Sequence, residues 1–159
     1  MITIRCETGD DVRVDADALE GADLSGLNLH RALLERQVLR AVNLSTADLR
    51  SARLDDAILD DANLTCARLP ACNASRASFI NVNLSGAFMR SGIFDLVNFT
   101  RARLQDANVG RARFHGAIFD GADLRCIGLA EADLRGASCD KLTIWPAEFS
   151  PKDHGVIVR

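Results

Sequence analysis

The sequence predicts an all-β solenoid, in which short strand-like sides wind into stacked coils. Three observations carry the prediction. A large apolar residue recurs every five positions, from Leu19, Leu24, Leu29, Leu34 and Leu39 in an unbroken frame to Ile144 and Phe149; of these 27 centres, 16 are Leu and six are Phe. Two residues before each centre stands a second inward position, Ala in 17 of the 27 cases. The two residues after each centre are mostly Gly, Ser, Asp, Arg and Thr, types that suit turns and solvent. A helix needs apolar residues three and four apart and an amphipathic strand needs them two apart, so a strict five fits neither as a long element. It fits a chain that turns two side chains inward, makes a corner and repeats. Units this small cannot bury a face alone and must stack.

Taken in order, the chain divides into three parts. In residues 1–16, Thr3-Ile4-Arg5-Cys6-Glu7 and Val12-Arg13-Val14-Asp15 alternate like strands around Thr8-Gly9-Asp10-Asp11. This reads as a short hairpin or irregular first coil that caps one open end. Residues 17–150 carry the repeats. The text then changes through Thr143-Ile144-Trp145-Pro146 and Phe149-Ser150-Pro151 into a tail, residues 151–159. Trp145 is placed to cover the last coil, and the prolines stop further stacking by removing backbone donors. The final Val156-Ile157-Val158 is apolar and strand-like, suited either to folding back on the rod or to pairing with a second chain.

The pattern Ala-[Asp/Asn]-Leu-x-x, seen in Gly21-Ala22-Asp23-Leu24-Ser25 and again in Gly121-Ala122-Asp123-Leu124-Arg125, resembles the pentapeptide-repeat family over residues 17–150. The resemblance implies a right-handed quadrilateral parallel β-helix with four pentapeptides per coil, about seven coils in all. Residues twenty apart then stack. Phe79, Phe99 and Phe119 fall on one interior side, Phe94 and Phe114 on the adjacent one, and Leu24, Leu44, Leu64, Leu84, Leu104 and Leu124 form a leucine column. At a strand spacing of about 4.8 Å the rod is roughly 30 Å long. The tail resembles the segment with which many bacterial members close, making Trp145, Pro146 and Phe149 the expected cap.

The composition excludes several classes of function. A net charge of −3 is mild and argues against direct nucleic-acid binding, which favours a basic chain. No apolar run reaches membrane-spanning length. The start of the chain lacks a basic segment followed by an apolar one, as a secretory signal has. Five cysteines at irregular spacing, without a CxxC, fit reduced thiols in a cytoplasm. Cys72 and Cys139 fall on inward positions, and Cys66 and Cys126 share an outward column three coils apart. His30, His115 and His154 lie on different sides or in the tail, so no zinc site, cofactor or nucleophilic triad is expected. Asp55-Asp56 and Asp60-Asp61 sit at corners of a convex rod with no cleft to raise a pKa, and read as solvated surface. An enzyme is not expected.

Function is left to the surface. One side carries Asn43, Asn63 and Asn83 beside Ser25, Ser45, Thr65 and Ser85, a polar ladder. The next carries Arg31, Arg50, Arg68, Arg90 and Arg111. The other two hold most of the acid: Glu35, Asp55, Asp56 and Asp95 on one, and Glu20, Asp60, Asp61, Asp120 and Asp140 on the other, interleaved with Arg36, Arg53, Arg76, Arg101 and Arg113. Leu33, Val38, Ile58, Ile93 and Ile118 add outward apolar side chains on this acidic half. The family resemblance implies a DNA mimic, a stiff rod whose Glu35, Asp55, Asp56, Asp60, Asp61, Asp95, Asp120 and Asp140 occupy a groove built for phosphates. The implied partner is DNA gyrase or topoisomerase IV, with resistance to topoisomerase-poisoning antibiotics as the outcome. The alternative is a general interaction scaffold with another protein partner, and a homodimer through a terminal segment is compatible with either.

Overall fold

The computed structural model describes residues 1–159. Four parallel ladders run along the molecule, each joining residues twenty apart. The first face pairs Asp23, Asn43, Asn63, Asn83, Arg103 and Asp123; the second Asn28, Asp48, Arg68, Phe88 and Asn108. The third pairs Leu33, Arg53, Asn73, Ile93, Arg113 and Asp133, and the fourth Val38, Ile58, Ser78, Asn98, Ile118 and Ser138. The paired residue is the outward one of each Ala-x-Leu unit. Its N–H and C=O both bond the preceding coil: Asn43 donates to the Ala22 carbonyl at 2.9 Å and accepts from the Leu24 amide at 2.8 Å.

Each corner is a two-residue turn closed by one more backbone bond, as where the Ala47 amide donates to the Leu44 carbonyl at 3.1 Å. The second corner residue adopts a left-handed backbone. Sixteen non-glycine residues hold it there, at φ of 52° to 61°. Such a conformation costs an L-residue on the order of 1 kcal/mol, so the stacking and ladder bonds override local preference at every coil. Asn or Asp at the outward position eases the turn, because its Oδ1 accepts the amide two residues on, as in Thr65 to Asn63 at 3.1 Å and Thr100 to Asn98 at 3.0 Å.

The core is a single column of 47 buried apolar residues. The leucine column from Leu24 to Leu124 is fully buried, and so are Phe79, Phe94, Phe99, Phe114 and Phe119. Phe99 and Phe119 stack at 5.3 Å between ring centres, Phe94 and Phe114 at 5.4 Å, and Phe79 meets Phe99 edge to face at 5.3 Å. At one end, β1 (Ile2–Ile4) and β2 (Val12–Val14) form an antiparallel hairpin, and Cys6 continues it onto Ala32. At the other, β3 (Ser138–Cys139) pairs in parallel with β4 (Ile157–Val158), so the tail folds back on the rod.

The five-residue frame does slip near the end, contrary to the expected unbroken run of centres. Asn108 pairs with Ile127, nineteen residues on, and Asp123 pairs with Ile144, twenty-one on. The shortened side turns Ile127 outward, 58% exposed, and draws Cys126 against the core. Cys126 is therefore not on the outward column that it was expected to share with Cys66. A 3-10 turn at Leu129–Glu131 restores the frame for two sides, at Asp133 and Ser138. Ile144 then lies on the outward position at 47% exposure and Leu142 at 68%, while Trp145 takes the inward place. Trp145 meets Phe119 at 6.3 Å, Phe149 stacks on Trp145 at 5.3 Å, and His154 on Phe149 at 4.4 Å.

Candidate functional site

The eight acidic residues singled out in the sequence occupy corners of the third and fourth faces, and most are engaged within the rod. Glu35 pairs with Arg53 at 2.9 Å, Asp56 with Arg76 at 2.8 Å, and Asp95 with Arg113. Asp120 receives Arg159 from the tail at 2.6 Å. Asp60 lies 3.8 Å from Arg40, accepts the Ser78 hydroxyl and also accepts the Ile80 amide at 3.2 Å. Asp61 accepts Asn81 at 3.0 Å, and Asp140 accepts the Gly121 and Leu142 amides at 2.9 and 3.0 Å. Asp55 differs from the rest: its Oδ2 is buried without a hydrogen-bond partner.

Two of these contacts also favour the charged carboxylate. The Arg76 hydrogen bond holds Asp56 below the usual carboxylate range, and the Gly121 amide does the same for Asp140. Asp133, bonded by Arg135, falls to about 2. The corner around Asp55 is also less convex than expected. Glu35, Arg36, Arg53, Asp55, Asp56 and Arg76 line a shallow depression of about 410 Å3 with no apolar wall. Three acids against three guanidinium groups leave it without net charge, and no group of three or more His, Cys, Asp or Glu is placed to hold a metal ion.

The remaining faces divide cleanly. On the first, Asn63 donates to Asn43 at 3.2 Å and Asn43 to Asp23 at 3.0 Å, an amide ladder along the rod. On the second, Arg50 pairs with Asp48 at 2.6 Å, and Arg90 and Arg111 reach Glu131 at 3.5 and 3.8 Å. Arg68 has no carboxylate partner, and Phe88 on the next coil is 38% exposed. Of the outward apolar residues expected on the acidic half, only Val38 is clearly exposed, at 45%. Cys66 is exposed, and burial pushes the Cys72 and Cys126 thiols up to about 12. No helix is long and apolar enough to cross a membrane.

Arg159 as the partner of Asp120 was not foreseen from the sequence. The other pairs left a trace there, since Glu35 and Arg53 are eighteen residues apart and Asp56 and Arg76 twenty, the offsets at which side chains of adjacent coils meet.

Comparison with known proteins bears on the repeat. The family model described as pentapeptide repeats matches residues 19–56, 57–95 and 97–136, with eight copies. No curated protein matches significantly in sequence. Among solved structures, a pentapeptide repeat protein from the Arabidopsis thaliana thylakoid lumen is 29% identical, with 57% of this chain and 67% of that one covered and a TM-score of 0.50. A trypsin-treated variant of QnrB1, a plasmid-mediated fluoroquinolone resistance protein, is 22% identical over 89% of this chain and 77% of that one, with a TM-score of 0.54. Rfr23, from the cyanobacterium Cyanothece 51142, is 33% identical over 69% of this chain and 64% of its own, with a TM-score of 0.34. The family match and the first two likenesses imply a right-handed β-helix.

Proposed function

Because the chain belongs to the pentapeptide-repeat family, we propose that it acts as a stiff, non-enzymatic rod that binds another protein through its faces. Family members of this kind are generally structural or interaction proteins. The observation that carries the reading is the fixation of surface charge. Carboxylates such as Asp60, Asp95 and Asp140 are each held by a backbone amide of the adjacent coil, so a charged partner meets prearranged charges rather than mobile ones.

The most specific partner is a type II topoisomerase, DNA gyrase or topoisomerase IV, with the rod standing in for a DNA segment. Support comes from the rod form, from the acid at Asp60, Asp61, Asp120 and Asp140 on the fourth face, and from a β-helix fold shared with QnrB1, a plasmid-mediated fluoroquinolone resistance protein. The fourth face is the better candidate, because Asp61 and Asp140 have no arginine partner there. The five free thiols fit a reducing, cytoplasmic setting for this role. A supercoiling assay with purified chain, with and without a quinolone, tests it. Inhibition or protection is expected, and replacing Asp55, Asp60, Asp120 and Asp140 together by Asn removes the effect while the rod stays folded. No change in supercoiling under either condition overturns the topoisomerase reading.

A second reading is favoured by a specific observation. Arginines lie within 4.0 Å of Glu35, Asp56, Asp60, Asp95 and Asp120, and the second face is basic, which suits an interaction scaffold with a partner of mixed charge. A second copy of the chain, bound through the apolar terminal strand, belongs to either reading.

A further inference from the structure

The fourth face begins and ends on an open edge. Its first paired rung is Gln37–Leu39, where the Ile58 amide donates to the Gln37 carbonyl at 3.0 Å and the Leu39 amide to the Ile58 carbonyl at 2.7 Å. The same alternation turns the N–H and C=O of Val38 toward the preceding coil, and neither makes a backbone hydrogen bond. Residues 17–19 pass this edge without a bridge to it. Val38 is 45% exposed, and Gln37, although on an inward position, is exposed as well. Beside them lies a groove of about 210 Å3 whose walls include Ile2, Ile4, Leu19, Leu33 and Leu34.

At the opposite end β4 closes the same ladder. Ile157 pairs with Ser138 and donates to the Ala137 carbonyl at 2.8 Å, which points the Val156 carbonyl and the Val158 N–H away from the rod. Ile157 is 58% and Val158 43% exposed. The missing partners at one end are thus the free groups at the other.

We infer that the chain associates head to tail with a second copy, β4 of one continuing the fourth-face ladder onto the Gln37–Leu39 edge of the next. The Val38 N–H donates to the Val156 carbonyl, and the Val158 N–H donates to the Val38 carbonyl. This is the pattern by which Asn43 bonds Ala22 and Leu24 within the rod. Ile157 then lies beside Val38 on the outer surface, and Val158 turns toward the apolar groove. Asp17–Leu19, which hold no bond to this edge, swing off it. The occupant is a second copy because both edges belong to one ladder, with the same parallel sense and the same inward-outward phase. Open edges of this kind pair readily. The two patches differ, so the interface is heterologous and builds open chains rather than closed pairs. The inference extends the self-association proposed above and does not depend on a topoisomerase partner.

Sedimentation of the full chain tests it. An interface this small fits a Kd between about 1 µM and 1 mM, so the weight-average mass should climb through that range. Val38→Lys and Ile157→Lys change exposed side chains, and each should leave a monomer. Mixing the two variants should restore association and stop at a one-to-one dimer, since only the Val38→Lys tail and the Ile157→Lys edge remain intact. A wild-type chain that stays monomeric overturns the inference. So does self-association that Ile157→Lys abolishes and Val38→Lys retains, which means a two-fold pairing of tails, or a mixture that fails to associate.

Discussion

Replacing Phe99 by Ala removes the ring at the middle of the aromatic interior. Phe99 is fully buried and meets four others, with ring centres at 5.3 Å from Phe79, 5.9 Å from Phe94, 5.8 Å from Phe114 and 5.3 Å from Phe119. A buried Phe→Ala change costs about 3–5 kcal/mol, and each well-placed aromatic pair adds about 0.5–1.5 kcal/mol beyond area. The coils above and below are tied by ladder bonds on all four faces, so the cavity cannot collapse and the cost should fall near the top of that range. Phe99→Leu, which restores the residue type common at this position, should cost only about 1–2 kcal/mol. Denaturant unfolding reads both values. Far-UV circular dichroism follows the coils, and the fluorescence of the single Trp145, 6.3 Å from Phe119, follows the capped end. The two probes should give the same midpoint shift if the stack couples the end to the middle. An Ala cost below about 1.5 kcal/mol, or equal costs for Ala and Leu, would refute this packing argument.

Two further outcomes are expected. A Cβ on Gly128, at φ +78°, meets the Gly110 Cα and N at 2.8 Å, so Gly128→Ala should cost about 2–3 kcal/mol by denaturation. The control Gly136→Ala, whose nearest neighbouring atom is at 3.6 Å, should cost about 1 kcal/mol. Acid should also destabilise the chain: Asp133 is held at about 2, and Asp56 and Asp140 lie below their usual range. The folded chain keeps these groups ionised where the unfolded chain binds protons, so their contribution is present above roughly pH 4 and is lost as pH falls toward 2. Asp133→Asn should flatten that fall in a pH series of denaturation curves, and an unchanged slope would show that the Arg135 pairing contributes nothing.

The interior was legible in the sequence because it depends on residue size and spacing alone. The positions of Leu24 to Leu124 and of the five buried phenylalanines follow from a count of five, and the hairpin follows from alternation in Thr3–Glu7 and Val12–Asp15, although β1 starts at Ile2 and ends at Ile4. The slip was hidden because Leu129 and Leu134 stay buried in frame while the loss occurs between them and Leu124. Gly128, close against Gly110, is the local sign of it. The acidic columns and the arginines interleaved with them are legible as composition, whereas which carboxylate meets which arginine is set by the stacking of the coils. Pairing of Asp120 with Arg159 depends on where the tail lands, thirty-nine residues on, which no local pattern records.

Competition with DNA tests the proposed role most directly. With gyrase bound to a labelled linear duplex, fluorescence anisotropy reports release as unlabelled chain is added. Displacement of the duplex is expected, weakened by added salt and abolished when Asp55, Asp60, Asp120 and Asp140 are Asn. An unchanged anisotropy at saturating chain, or release that the Asn variant reproduces in full, would contradict it.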